Sequence, residues 1–124
     1  MSELRADTIT ASDGTSPVTL TKQSAAKAWV SFNGSGTIAA RGSLNLSSLT
    51  DNAAGDYTIN YSNSMSDGNY AASGFAGEDA DIIGLRSGAS FPPSSSSTRI
   101  AVKNYASTSV DRTYVLCVTH GDLA

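Results

Sequence analysis

The sequence is poor in most of the groups that carry chemistry. It holds one cysteine, one histidine and one tryptophan in 124 residues. A single cysteine, Cys117, excludes an intrachain disulfide, and small secreted domains commonly rely on several. Cys117 therefore reads as a buried small hydrophobe in a chain folded in a reducing compartment. One cysteine and His120 fall short of the roughly four ligands a structural zinc requires. A hydrolytic triad would need His120 beside a nucleophile and an orienting carboxylate. Serine and aspartate are too common here for spacing to single out such a pair, and no enzymatic role or cofactor is expected.

Charge is also sparse. Charged residues make up 15% of the chain and the net charge is −3, against roughly 25% charged residues in an average domain. The lysines and arginines stand singly, so there is no basic stripe for a nucleic acid. No apolar run approaches the roughly 20 residues of a membrane helix. The opening MSELRADTIT lacks the apolar centre of a signal peptide. The densest acidic cluster, Glu78, Asp79 and Asp81 in GEDADI, does not have EF-hand spacing. It reads as a solvated loop, with cation binding left open.

Small polar residues fill the gap. Serine, threonine, asparagine and glycine with 40% hydrophobic residues suit strands and turns. Residues 1–25 carry only scattered large apolar side chains, Leu4, Ile9, Val18 and Leu20. That segment cannot close a core alone: it is either a flexible tail or an extended N-terminal segment that orders only against other chains. Strand signals then recur through residues 26–124. Ala28, Val30 and Phe32 share one face of an extended segment that runs into Asn33-Gly34, a hairpin signal. Ile38, Ala40, Gly42, Leu44 and Leu46 alternate along the next segment, and residues 51–56 read as a loop. Tyr57, Ile59 and Tyr61 alternate again, and residues 66–69 read as a turn. Further strands follow at residues 70–75, 82–85, 99–105 and 114–119, the last apolar on both faces. No amphipathic helix is visible. Six to eight short strands predict an all-β antiparallel sandwich or small barrel.

The sharpest residue is Trp29, in KAWVSFNGSG. In a strand it points away from Val30 and Phe32. Its ring then serves a second buried layer, a partner chain, or a flat ligand such as a sugar.

The phrase AAKAWVSFNGSGTIAARGSLNLSSLTDNAAGDYTINYSNSMSDGNYA, with SELRADTIT before it, resembles short tail-fibre proteins of tailed bacteriophages. The resemblance covers about residues 1–72 and fades beyond. Gly42 departs from it, standing where the family phrase commonly has aspartate. The resemblance implies a virion structural protein, assembled in the host cytoplasm as a homotrimer. Its N-terminal segment would attach to other virion proteins, and its β-rich body would meet a host surface polysaccharide or outer-membrane component. On that reading Leu4, Ile9, Val18, Leu20 and Trp29 belong to attachment or trimer packing. The receptor-contact candidates are Phe75, Glu78, Asp79, Asp81 and Phe91, in residues 74–81 and 87–97. A capsid decoration or head-fibre protein and a monomeric carbohydrate-binding module are the competing readings.

Overall fold

The computed structural model describes residues 10, 12–15, 25–77, 81–85 and 91–124. Among them are eight strands and no helix: β1 (Ala28–Asn33), β2 (Ala39–Leu44), β3 (Leu46–Ala53), β4 (Asp56–Tyr61), β5 (Ala71–Gly77), β6 (Ile82–Leu85), β7 (Ser97–Lys103) and β8 (Tyr114–His120). They form two antiparallel sheets of four strands, ordered β2-β1-β8-β5 and β3-β4-β7-β6. The fold is a small β-sandwich, with no closed barrel. The N-terminal packing candidates Leu4, Ile9, Val18 and Leu20 lie outside the described residues, as do Glu78 and Asp79.

Alternation along the central strands writes the core. Ala28, Val30 and Phe32 of β1 are buried, as are Tyr57, Ile59 and Tyr61 of β4. Thr98, Ile100 and Val102 of β7 and Val115, Cys117 and Thr119 of β8 complete the layer. Side chains two residues apart share a face of a strand, so each central strand sends its inward set between the sheets. Phe32 meets Tyr57 edge-to-face across the layer, with ring centroids 5.2 Å apart. Burying one such side chain stabilises by about 1.5–3 kcal/mol. The expected inward faces of β1 and β4 are therefore observed.

Three local expectations change. Residues 51–56 are mostly strand: β3 runs to Ala53 and β4 begins at Asp56, leaving a turn at residues 54–55. The alternating segment from Ile38 to Leu46 is not one strand. Asn45 has a φ of 57° and breaks it into β2 and β3, which belong to different sheets. Leu44 consequently stays exposed on one sheet while Leu46 packs against the core. The Asn33-Gly34 signal does give a hairpin, but Asn33 pairs with Ala39, so five residues connect the strands. Asn33 closes on Ser35 through its side chain instead, its Oδ1 accepting from Ser35 N at 3.2 Å.

Gly34 has another task. Its N–H donates to the Arg112 carbonyl at 2.9 Å, and its own carbonyl lies 2.8 Å from the Tyr57 hydroxyl. A Cβ there would fall 2.6 Å from that hydroxyl, so only glycine permits the approach. The same hydroxyl is 2.7 Å from Asp111 Oδ1, which also accepts the Gly55 N–H at 2.8 Å. Asp81 and Arg112 form an ion pair beside this cluster. One end of the sandwich is thus closed by a hydrogen-bonded plug. At the other end Tyr61 and Thr119 share a hydrogen bond of 3.1 Å, and Tyr70 donates to the Ser97 carbonyl at 2.8 Å. The chain end is tied in there: Ser66 N–H donates to the Asp122 carbonyl and Met65 is buried. The expected turn at residues 66–69 is present, with Asp67 Oδ1 accepting the Asn69 N–H at 2.7 Å. That bond and its neighbour from the Asn69 amide hold the Asp67 carboxyl below its ordinary pKa.

Candidate interaction face

The two sheets turn different surfaces outward. On the β3-β4-β7-β6 sheet, strands β3, β4 and β7 turn mainly amides, hydroxyls and an ion pair outward. Asn60 Nδ2 donates to Ser48 Oγ at 3.1 Å and to Thr50 Oγ1 at 3.2 Å, and Asn52 Nδ2 donates to Thr58 Oγ1 at 2.9 Å. Arg99 grips Asp56 with two bonds, Nε to Oδ1 at 2.7 Å and Nη2 to Oδ2 at 2.8 Å. This is the ordinary solvated face of a sandwich, apolar inward and polar outward.

The outward face of the β2-β1-β8-β5 sheet is apolar. Register places Leu44, Trp29, Val118 and Ser73 in one row across all four strands. The next row is Gly42, Ser31, Leu116 and Phe75. Tyr114 follows at the end of β8, with the Arg41 guanidinium 4.4 Å from its ring centroid. Arg41 Nη1 also donates to the Thr113 carbonyl at 2.6 Å. The exposures are 42% for Trp29, 47% for Leu44, 42% for Leu116, 55% for Tyr114 and 78% for Phe75. Trp29 therefore takes no part in the core between the sheets. Its indole lies over Gly42, where a Cβ would sit 3.3 Å from the ring. Between Trp29 and Phe75 the surface dips into a hollow of about 240 Å³, with Ser31, Gly74 and Leu116 in its lining.

A second, polar hollow of about 280 Å³ lies on the other sheet, between Phe91, Pro92, Thr58, Ser97 and Arg99. The Arg99 guanidinium stacks 3.9 Å from the Phe91 ring centroid. The pairing with Asp56 raises the Arg99 pKa further, so its charge is permanent.

The expected receptor-contact residues do not gather at one place. Phe75 belongs to strand β5, not to a loop, and stands on the apolar face. Phe91 borders the polar hollow on the opposite sheet. The Asp81 side chain is only 2% exposed and is paired with Arg112, which places it inside the end of the fold instead of on a solvated loop. Trp29 and Phe75 are brought together, although the sequence reading assigned them to different roles. Leu44, Leu116 and Tyr114 were not singled out. The signal for the last two was the double-faced apolar pattern of residues 114–119.

Cys117 is buried in the core, where desolvation pushes its thiol up to about 11. At that pKa it stays protonated and poorly nucleophilic at neutral pH. Among the described residues no three histidine, cysteine, aspartate or glutamate side chains gather to hold a metal ion. No helix among them is long and apolar enough to cross a membrane. Comparison with models of protein families, with curated proteins and with solved structures gives no match.

Proposed function

We propose that the chain is a structural subunit of a tailed-bacteriophage particle, a trimeric tail-fibre or tail-tip protein that contributes to host-surface adsorption. The observation that carries this reading is the division between the two outward faces. The apolar face, with Trp29 and Phe75, suits packing against other protein. The amide and hydroxyl face, with the hollow at Phe91 and Arg99, suits contact with a polysaccharide or another polar surface component. The resemblance of residues 1–72 to phage fibre proteins supplies the biological setting, and residues 1–25 take the role of attachment to other virion proteins. Nothing in this reading requires a catalytic group.

Antibody labelling of intact particles, imaged by electron microscopy, tests it. Signal at the tail tip is the expected result. Signal on the capsid alone would replace the tail reading with a head-fibre or decoration protein of the same build.

One observation favours a second reading. An exposed indole and an exposed phenyl ring flanking a shallow hollow also describe a sugar platform. A monomeric carbohydrate-binding module would show glycan affinity that Trp29→Ala abolishes while its sedimentation stays that of a monomer.

A further inference from the structure

We infer that the hollow between Trp29 and Phe75 is filled by Phe75 of a second copy of this chain. This inference rests on the proposed assembly role of the apolar face and names the contact that performs it.

At roughly 150–250 Å² for a whole aromatic side chain, the exposed fractions of Trp29, Leu44, Phe75, Tyr114 and Leu116 together leave on the order of 500 Å² of apolar surface. A standard interface covers roughly 800 Å² on each partner, about 60% of it apolar. The face therefore matches the apolar share of one complete side of a stable interface. It is at the upper end of the roughly 300–600 Å² seen for the largest patch on a monomer.

Charge argues for the occupant. The two rows contain no charged side chain; Arg41, at one margin, is already engaged by the Tyr114 ring and the Thr113 carbonyl, and the exposed His120 stands at the other margin, opposite Ala71. Nothing there selects a charged partner or a nucleic acid. Such a charge-poor, aromatic surface has the composition of an interface core, and interfaces between identical chains are the more apolar ones, about 65% apolar.

Shape argues for the same occupant. Phe75 is the most exposed large apolar residue of the face and stands on edge strand β5. Beside it is a hollow of about 240 Å³ with small residues, Ser31, Ser73 and Gly74, in its lining. An enclosed cavity of about 150 Å³ accommodates benzene, and this hollow, open at the surface, has room for a phenyl ring. One face thus carries both the projecting ring and the space that receives it. A second copy supplies a ring for the space, either one way around a three-fold axis, as the trimeric reading has it, or reciprocally about a two-fold axis.

Sedimentation equilibrium of the full chain and of Phe75→Asp and Phe75→Leu tests the contact. Far-ultraviolet circular dichroism and thermal melting confirm that the variants fold, which an outward position 78% exposed should permit. The expected result is an oligomer for the parent chain, a monomer for Phe75→Asp, and an oligomer weakened about tenfold or more for Phe75→Leu. A monomeric parent chain overturns the inference. So does an oligomer that Phe75→Asp leaves intact, and that outcome leaves the fibre reading standing. A dimer that depends on Phe75 supports the inference and overturns the trimeric reading, so the two fail separately.

Discussion

Tyr57→Phe removes one oxygen atom from the best-connected position in the fold. The Tyr57 hydroxyl is buried and lies 2.8 Å from the Gly34 carbonyl and 2.7 Å from Asp111 Oδ1. The phenylalanine ring keeps the edge-to-face contact with Phe32, so the packing loss is small. What remains is the loss of one O–H donor, whose single hydrogen serves the carboxylate and the carbonyl between them. Asp111 keeps the Gly55 N–H at 2.8 Å, which limits the damage. Hydrogen bonds to charged groups are worth roughly 1.5–3 kcal/mol, so the expected loss is about 2 kcal/mol. For a domain of this length that is on the order of 8 °C in melting temperature. Urea unfolding of the parent chain and the variant, with equal m-values, measures the difference directly. A loss under about 0.5 kcal/mol would show that the plug at this end of the sandwich does not hold the sheets together.

Further outcomes are expected. Arg99→Met leaves the nearly buried Asp56 carboxylate without its bidentate partner. Because the Arg99 side chain is 23% exposed, urea unfolding should show a loss smaller than that of breaking a fully buried pair, and an unchanged midpoint would show that the pair contributes nothing. Thr98 is buried with its Oγ1 unpartnered, so Thr98→Val should raise stability by about 1 kcal/mol, and a loss would mean the hydroxyl is satisfied. Cys117, Tyr57 and Tyr61 all have pKa values raised chiefly by burial. A raised pKa means that the folded state holds its protons longer, so stability is full below the unfolded values and falls as pH rises past them. The decline should begin near pH 9, where the unfolded thiol titrates, and steepen above pH 10 with the tyrosines. Cys117→Ala should remove the part between about 9 and 11, and an unchanged alkaline profile would contradict that assignment. Trp29→Ala should weaken assembly more than folding, since the ring is 42% exposed in one chain. Equal losses in both would return Trp29 to a core role.

Much of the fold was legible because the central strands are two-faced. The alternation of Ala28, Val30 and Phe32, and of Tyr57, Ile59 and Tyr61, is a direct imprint of burial on one side of a pleat. The edges were harder to read. Asp51 and Asn52 look like loop residues by composition, yet they lie in edge strand β3, where outward polar side chains carry no penalty. The break at Asn45 was hidden because one residue with positive φ leaves no periodic trace. The interaction face was half legible. Trp29 and the double-faced run at residues 114–119 announced it, but Phe75 and Leu44 join it only through strand order, which no local pattern specifies. Asp81 was misplaced because its partner, Arg112, is distant in sequence.

Trp29 is the only tryptophan in the chain, so its fluorescence reports on the apolar face and nowhere else. The most direct measurement is acrylamide quenching of that emission across a dilution series of the full chain, with Phe75→Asp as the dissociated reference. If copies of the chain cover this face, the indole is shielded and blue-shifted at high concentration and approaches the Phe75→Asp signal as the assembly dissociates. An indole as accessible at every concentration as it is in Phe75→Asp would contradict the account.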